Sequence, residues 1–153
     1  MLYTFRQDVY FFRNSPGGEI SFSFLDNQSR LFLLSGDENR ITRQWQSRQR
    51  VNFSKSMSIE NNFQSGIKKY AAMLSDPRNF NISFYAINPM LNRQFNPGFR
   101  WSWGLDYTQK ENTNDSIIVD TKVSFVKAIS ELKLNFKDRN NLFMKAEFIR
   151  ITQ

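Results

Sequence analysis

The chain offers few residues of the kinds that usually carry out enzyme chemistry. Its 153 residues include no histidine and no cysteine, which removes the commonest general base and all thiolate nucleophiles and metal ligands. Carboxylates remain, and glycoside hydrolysis would need two of them about 5–10 Å apart. Asp106 would have to meet Asp120 or Glu131 across strands, and no local motif supports such a pair. We predict no catalytic residues, no cofactor and no enzyme activity.

Two short acidic stretches contain oxygen ligands of the kind that calcium prefers. They lie at residues 35–40, SGDENR, and residues 111–115, ENTND. Neither has the spacing of a calcium-binding loop, and Asp, Asn and Ser are also the usual residues of polar turns. We therefore interpret both stretches as turns and predict no metal site.

The excess of basic residues raises the question of nucleic-acid binding. A formal net charge of +7 suits nucleic acid, an anionic membrane surface or a basic channel lining. Arg43, Arg48 and Arg50 lie near Trp45, an aromatic residue on which a base would stack. On a strand, however, Arg43 and Trp45 face one way while Arg48 and Arg50 face the other. The basic cluster is split, and nucleic acid is not an expected partner.

The elements that would position these residues are predicted to be β-strands. In residues 99–112, FRWSWGLDYTQKEN, large apolar side chains alternate with small, polar or charged ones. In residues 40–54 every even position, including Arg48 and Arg50, is polar. Such alternation is typical of strands with one dry and one wet face. One face of residues 99–112 carries Phe99, Trp101, Trp103, Leu105 and Tyr107, and the other carries Arg100, Ser102, Asp106 and Thr108.

About ten such segments follow one another, separated by short turn-rich breaks, one of them at residues 25–29, LDNQS. Several are on the order of 10 to 15 residues long, and consecutive strands joined by short turns pair antiparallel. Pro89 is expected at an edge, a bulge or a strand end, and residues 66–74, GIKKYAAML, fit a helix as well as a strand. We predict an all-β fold for residues 1–153, a single domain formed by an antiparallel up-and-down meander that is a barrel or part of one.

The apolar faces of these strands must be covered, and two coverings are open. In a soluble sandwich, barrel or clam they point inward, where aromatic side chains would hold an apolar or glycan ligand. In an outer-membrane barrel they contact lipid, and tryptophan and tyrosine lie at the membrane interfaces. Phe99, Trp101, Trp103, Leu105 and Tyr107 are thus predicted to face lipid or ligand. A lumen or solvent is predicted to contact Arg48, Arg50, Arg100 and Asp106.

Five segments, in chain order, resemble a known class of proteins. They are RVNFS, NFNISFYAINPMLNRQF, FRWSWGLDYTQKEN, ELKLNFK and NNLFMKAEFIRI, between residues 40 and 151. They are similar to the C-terminal strand-rich region of large, poorly characterised cell-surface or outer-membrane proteins of Bacteroidota. The resemblance implies a β-barrel segment in a Gram-negative outer membrane, with lipid as its partner and the remaining strands of a larger chain as neighbours.

The chain departs from this pattern at its end. The family region continues into a further hairpin and an aromatic-terminated strand, whereas this chain ends FIRITQ. Its opening residues, MLYTFRQDVYFFRN, lack the cationic start, apolar centre and cleavage site of a secretory signal. We therefore expect a fragment of a larger protein, with the signal peptide outside this sequence.

Overall fold

The chain folds as one antiparallel sheet. A computed structural model describes residues 1–33, 36–72, 79–113, 121–135 and 141–152. Each strand pairs antiparallel with the next one along the chain, so the order in the sheet is the order in the sequence. The prediction of an all-β antiparallel meander is confirmed. The strands are β1 (Leu2–Phe11), β2 (Gly18–Leu33), β3 (Gly36–Ser54), β4 (Met57–Ala72), β5 (Phe80–Asn96), β6 (Phe99–Asn112), β7 (Thr121–Asn135) and β8 (Asn141–Thr152).

Two finer parts of that prediction are not confirmed. The described residues form eight strands rather than about ten, in an open sheet. Within the described residues β1 and β8 each contact a neighbouring strand on one side only. An up-and-down sheet becomes a barrel only when its first and last strands pair. The described sheet is therefore not a closed barrel.

One predicted break lies inside a strand, which accounts for part of the difference in strand number. Residues 25–29, LDNQS, belong to β2 and pair with β3 without a change of register. Asp26 accepts hydrogen bonds there from Gln28 at 3.2 Å and from Arg43 of β3 at 3.3 Å. Because its carboxylate is satisfied by neighbours within the sheet, this turn-like sequence remains extended.

Two ambiguous segments are also extended. Pro89 lies inside β5, opposite Asn61 of β4, and not at an edge or a strand end. The ladder to β6 is interrupted beside it and resumes in the same register at Met90, because a proline lacks only its own N–H donor. Residues 66–72 form part of β4, where all of them pair with β3 and residues 66–70 also pair with β5, so the helical alternative is wrong for them. Residues 73–74 of that segment lie outside the described residues.

Gly66 occupies a position where the strands leave no room for a side chain. A Cβ there would meet the backbone oxygen of Arg43 and, at 3.0 Å, the ring of Phe84. We expect Gly66→Ala to lower the free energy of unfolding by about 1–2 kcal/mol, because an overpacked site forces its neighbours to move. Denaturant unfolding followed by tryptophan fluorescence measures this loss.

The matched control for that substitution is Gly104→Ala in β6. A Cβ at Gly104 lies 3.4 Å or more from its neighbours, so the unfolding free energy should change by no more than about 0.5 kcal/mol. Equal losses at the two glycines would contradict the steric explanation.

Candidate functional site

The two faces of the sheet differ in chemical character. Directly opposite residues of an antiparallel pair point to the same side, so the register assigns each strand residue to a face. We call the side that carries Phe99, Trp101, Trp103, Leu105 and Tyr107 the apolar face. The opposite side is the polar face, and it carries Arg48, Arg50, Arg100 and Asp106.

The apolar face is the more exposed of the two. Trp103 and Leu105 are 43% and 37% exposed, whereas Ser102, on the polar face of the same strand, is 7% exposed. Among the described residues, every buried one lies on the polar face: Ala86, Asn92, Ser102 and Gly104. Side chains converge on the concave side of a curved sheet, so we infer that the polar face is the concave one.

The exposed apolar surface extends across the whole sheet. Eight strands about 4.8 Å apart span roughly 34 Å, and apolar side chains recur on this face of every one. A sheet face of this width is much larger than the apolar patches of a few hundred Å² that monomeric soluble proteins usually expose. All three tryptophans of the chain, Trp45, Trp101 and Trp103, lie on it. Other exposed members are Tyr3, Phe5, Val9, Phe11, Phe22, Val51, Phe53, Ile59, Phe63, Ile87, Phe95, Leu142, Met144 and Phe148.

A row of charged residues borders this surface at one end. Asp26 and Arg43 form an ion pair at 3.3 Å, and the register continues that row to Glu111 and Lys122. Along β5 this face extends from Tyr85 to Phe95 and includes the charged Arg93, whose guanidinium carbon lies 4.6 Å from the centre of the Phe95 ring. The distance from Tyr85 to Phe95 is about 33 Å along the strand, and a strand tilt of about 40° would reduce it to roughly 25 Å in height.

Amphipathic aromatic residues lie next to the charged row. The Tyr85 hydroxyl donates a hydrogen bond to Gln109 Oε1 at 2.8 Å, and the Tyr107 hydroxyl donates to the same atom at 3.0 Å. Trp45 packs against Phe24 with ring centroids 4.3 Å apart. Each tyrosine therefore has an apolar ring on the surface and a satisfied polar tip, as is typical of aromatic residues at a boundary between apolar and wet surroundings.

A polar spot interrupts the apolar face at β3 and β4. Gln49 lies directly opposite Asn61, and Ser47 lies one position away on the same face. The Ser47 hydroxyl oxygen and the Asn61 side-chain oxygen are buried and have no hydrogen-bond partner among the described residues. The same face also carries Arg93 of β5 and Arg150 of β8, so it is predominantly rather than uniformly apolar.

The polar face is held together by side-chain hydrogen bonds between β5 and β6. Asn88 Nδ2 donates to Asp106 Oδ1 at 2.5 Å. Four residues further along β5, Asn92 Oδ1 accepts from Ser102 Oγ at 2.7 Å and from Arg100 Nη2 at 3.0 Å. The sequence pattern led to Arg100 and Asp106 but not to Asn88 and Asn92. Asn88 and Asn92 nevertheless fall on the same face of the alternating segment INPMLN.

The predicted basic residues of β3 have acidic partners across the sheet. Arg48 lies 3.5 Å from Glu60, and Arg50 lies 3.6 Å from Glu19. The structure places both arginines on the polar face, while Arg43 lies on the apolar face with Trp45. Positive and negative charges are therefore interspersed on the polar face rather than gathered into one basic patch.

The structure does not bring the candidate carboxylates together. Asp106 and Glu131 share the polar face, but Glu131 lies opposite Ser102, four residues from Asp106 along β6. That separation is about 13 Å, beyond the range of a glycosidase pair. Asp120 lies outside the described residues, as do parts of both acidic stretches.

Two searches of the described part of the chain give negative results. No group of three or more acidic, histidine or cysteine side chains there is arranged to hold a metal ion. No helix in those residues is long and apolar enough to cross a membrane.

Comparison of the chain with protein-family models, with curated proteins and with solved structures finds no match.

Proposed function

We propose that the chain is a non-enzymatic β-barrel segment of a Gram-negative outer membrane, which spans the bilayer or anchors a surface protein in it. Its apolar face contacts lipid and its polar face lines a wet interior. The observation that carries this proposal is the inverted exposure of the sheet, in which Trp103 and Leu105 are exposed while Asn92 and Ser102 are buried. A soluble barrel or sandwich buries its apolar face instead.

The dimensions and composition of the apolar face support the same proposal. At the strand tilt of outer-membrane barrels its height would be roughly 25 Å, which is the height of their apolar band. Tyr85, Tyr107 and Trp45 lie near its charged border, where aromatic residues of such proteins meet the lipid headgroups. Antiparallel ladders on both sides satisfy the backbone polar groups of β2 to β7, as a membrane interior requires, and the outer edges of β1 and β8 would each need a further strand.

A second candidate function is a soluble all-β module that binds an apolar or glycan ligand. A cleft of about 400 Å³ on the apolar face favours it. Trp45 and Tyr85 stand on either side of Ser65 in this cleft, and Gln109 and Glu111 supply polar groups. Flat aromatic rings beside hydrogen-bonding side chains are the surroundings that a sugar ring would need.

Tryptophan quenching in lipid tests the proposed function directly. We expect the chain, refolded into phosphatidylcholine vesicles, to show a blue-shifted emission that brominated acyl chains quench strongly, because all three tryptophans lie on the apolar face. Emission is compared between vesicles with and without bromine, and soluble acrylamide provides the control quencher. A chain that stays folded and monomeric in detergent-free buffer, and whose emission bromine leaves unchanged, would favour the soluble module.

A further inference from the structure

The two edge strands carry side chains that match one another. Every residue of β1 and β8 is exposed, and along one edge of each strand the backbone groups have no neighbouring strand within the described part of the chain. On the polar face, β1 presents Arg6 followed by Asp8, and β8 presents Lys145 followed by Glu147. Exposed edges of this kind are ready to pair with a further strand.

We propose that β1 of one copy of the chain pairs antiparallel with β8 of a second copy, with Arg6 opposite Glu147. Asp8 then lies opposite Lys145. Within one chain Lys145 already lies opposite Glu131 of β7, so the pairing extends that row with alternating charge. Opposite charges facing each other across strands are stabilising.

The apolar face fits the same register. In the register that sets Arg6 opposite Glu147, Phe5 lies opposite Phe148. The same register sets Val9 opposite Met144 and Phe11 opposite Leu142. All of these side chains are exposed in the single chain. Their pairing would remove apolar area from water and continue the apolar face across the junction.

Neighbouring registers bring like charges together. A shift of β1 along β8 by one residue would set the polar face of one strand beside the apolar face of the other. The smallest shift that keeps polar face beside polar face is therefore two residues. In one direction this shift sets Arg6 opposite Lys145, and in the other it sets Asp8 opposite Glu147. Like charges directly opposite each other are destabilising, so the charge order selects one register.

A second copy fits these edges better than the chain's own opposite edge. β1 and β8 run in opposite directions in a meander of eight strands, so joining two copies keeps all pairing antiparallel. Within the described residues β1 and β8 of one chain do not contact each other, so both edges are available to a second copy. The contact is heterologous, and it generates a ring where the rotation between copies closes.

Cysteine cross-linking tests the pairing on a chain with no cysteine of its own. Gln7 and Ala146 lie opposite each other in the proposed register and are exposed on the apolar face. We mix chains that carry Gln7→Cys with chains that carry Ala146→Cys, refold them together in phosphatidylcholine vesicles or mild detergent, and oxidise them. We expect at least about tenfold more disulfide-linked dimer than from either variant alone, because directly opposite Cα atoms lie within bridging distance.

Two further samples make the result specific. Met144→Cys replaces Ala146→Cys as the register control, since a shift by two residues places the Cα atoms about 8 Å apart, beyond a disulfide's reach. A chain with both Gln7→Cys and Ala146→Cys, diluted into cysteine-free chain, tests self-closure. A cross-linked monomer in this sample would overturn the pairing with a second copy. So would equal yields of linked dimer with Met144→Cys and with Ala146→Cys, or no linked dimer from the mixture of Gln7→Cys and Ala146→Cys chains. Bromine quenching measures lipid insertion separately, so failure of the proposed function can be distinguished from failure of the pairing between copies.

Discussion

Ile59→Lys is expected to reduce insertion of the chain into phosphatidylcholine vesicles by about tenfold. Ile59 lies on the apolar face, between Val51 of β3 and Leu91 of β5, and is the third residue of β4. A lysine on the lipid side of a membrane barrel costs about 2–4 kcal/mol at the bilayer midplane and less toward the interfaces, and about 1.4 kcal/mol corresponds to a factor of ten. The measurement is the fraction of chain inserted at increasing urea concentration, followed by bromine quenching.

Ser58→Lys is the matched control, because Ser58 precedes Ile59 in the same strand and faces the polar side. Ser58 lies between Asn52 and Asn92, where a charged side chain would enter the wet interior. We expect Ser58→Lys to insert within about threefold of the unsubstituted chain, since interior positions do not contact lipid. Equal losses for the two variants, or no loss for Ile59→Lys, would refute contact between the apolar face and lipid.

Local sequence pattern predicted the strands and their faces because the side-chain period of a strand is two residues. The run of Phe99, Trp101 and Trp103 on one face of β6 needed no knowledge of any other strand. Strand number depended on contacts that no local pattern contains. Residues 25–29 read as a turn, yet Asp26 is satisfied by Arg43 of the next strand, so β2 continues. Pro89 likewise lies inside β5, because it pairs with β4 directly and β5 pairs with β6 both before and after it along the chain.

Properties of the whole sheet were beyond the sequence. Alternation predicts that Trp103 and Ser102 face opposite ways, but it does not predict that Trp103 is exposed and Ser102 buried, because exposure depends on how the neighbouring strands pack. Closure depends on what meets the edge strands, which no single strand specifies. The role of Asn92 was hidden for a similar reason, since its partners lie in β6 and are set by the register between two strands.

Asn92→Leu is expected to lower the free energy of unfolding by about 2–3 kcal/mol. Asn92 is 7% exposed, as is Ser102, and its side-chain oxygen accepts from Ser102 at 2.7 Å and from Arg100 at 3.0 Å. Leucine removes the acceptor of both donors, and a buried donor left unsatisfied costs about 1–3 kcal/mol. Denaturant unfolding in detergent measures the loss, and Gln94→Leu, at an exposed site on the same face of β5, should change it by less than about 0.5 kcal/mol.

A double-mutant cycle distinguishes this hydrogen-bond network from a simple change of shape. Ser102→Ala alone should cost about 1 kcal/mol, because Asn92 keeps its bond from Arg100. Combined with Asn92→Leu, Ser102→Ala should cost almost nothing more, since the hydroxyl left without an acceptor has been removed. The two losses are then less than additive by about 1 kcal/mol, as expected for residues in direct contact. Additive losses would mean that Asn92 stabilises the sheet by packing rather than by accepting these hydrogen bonds.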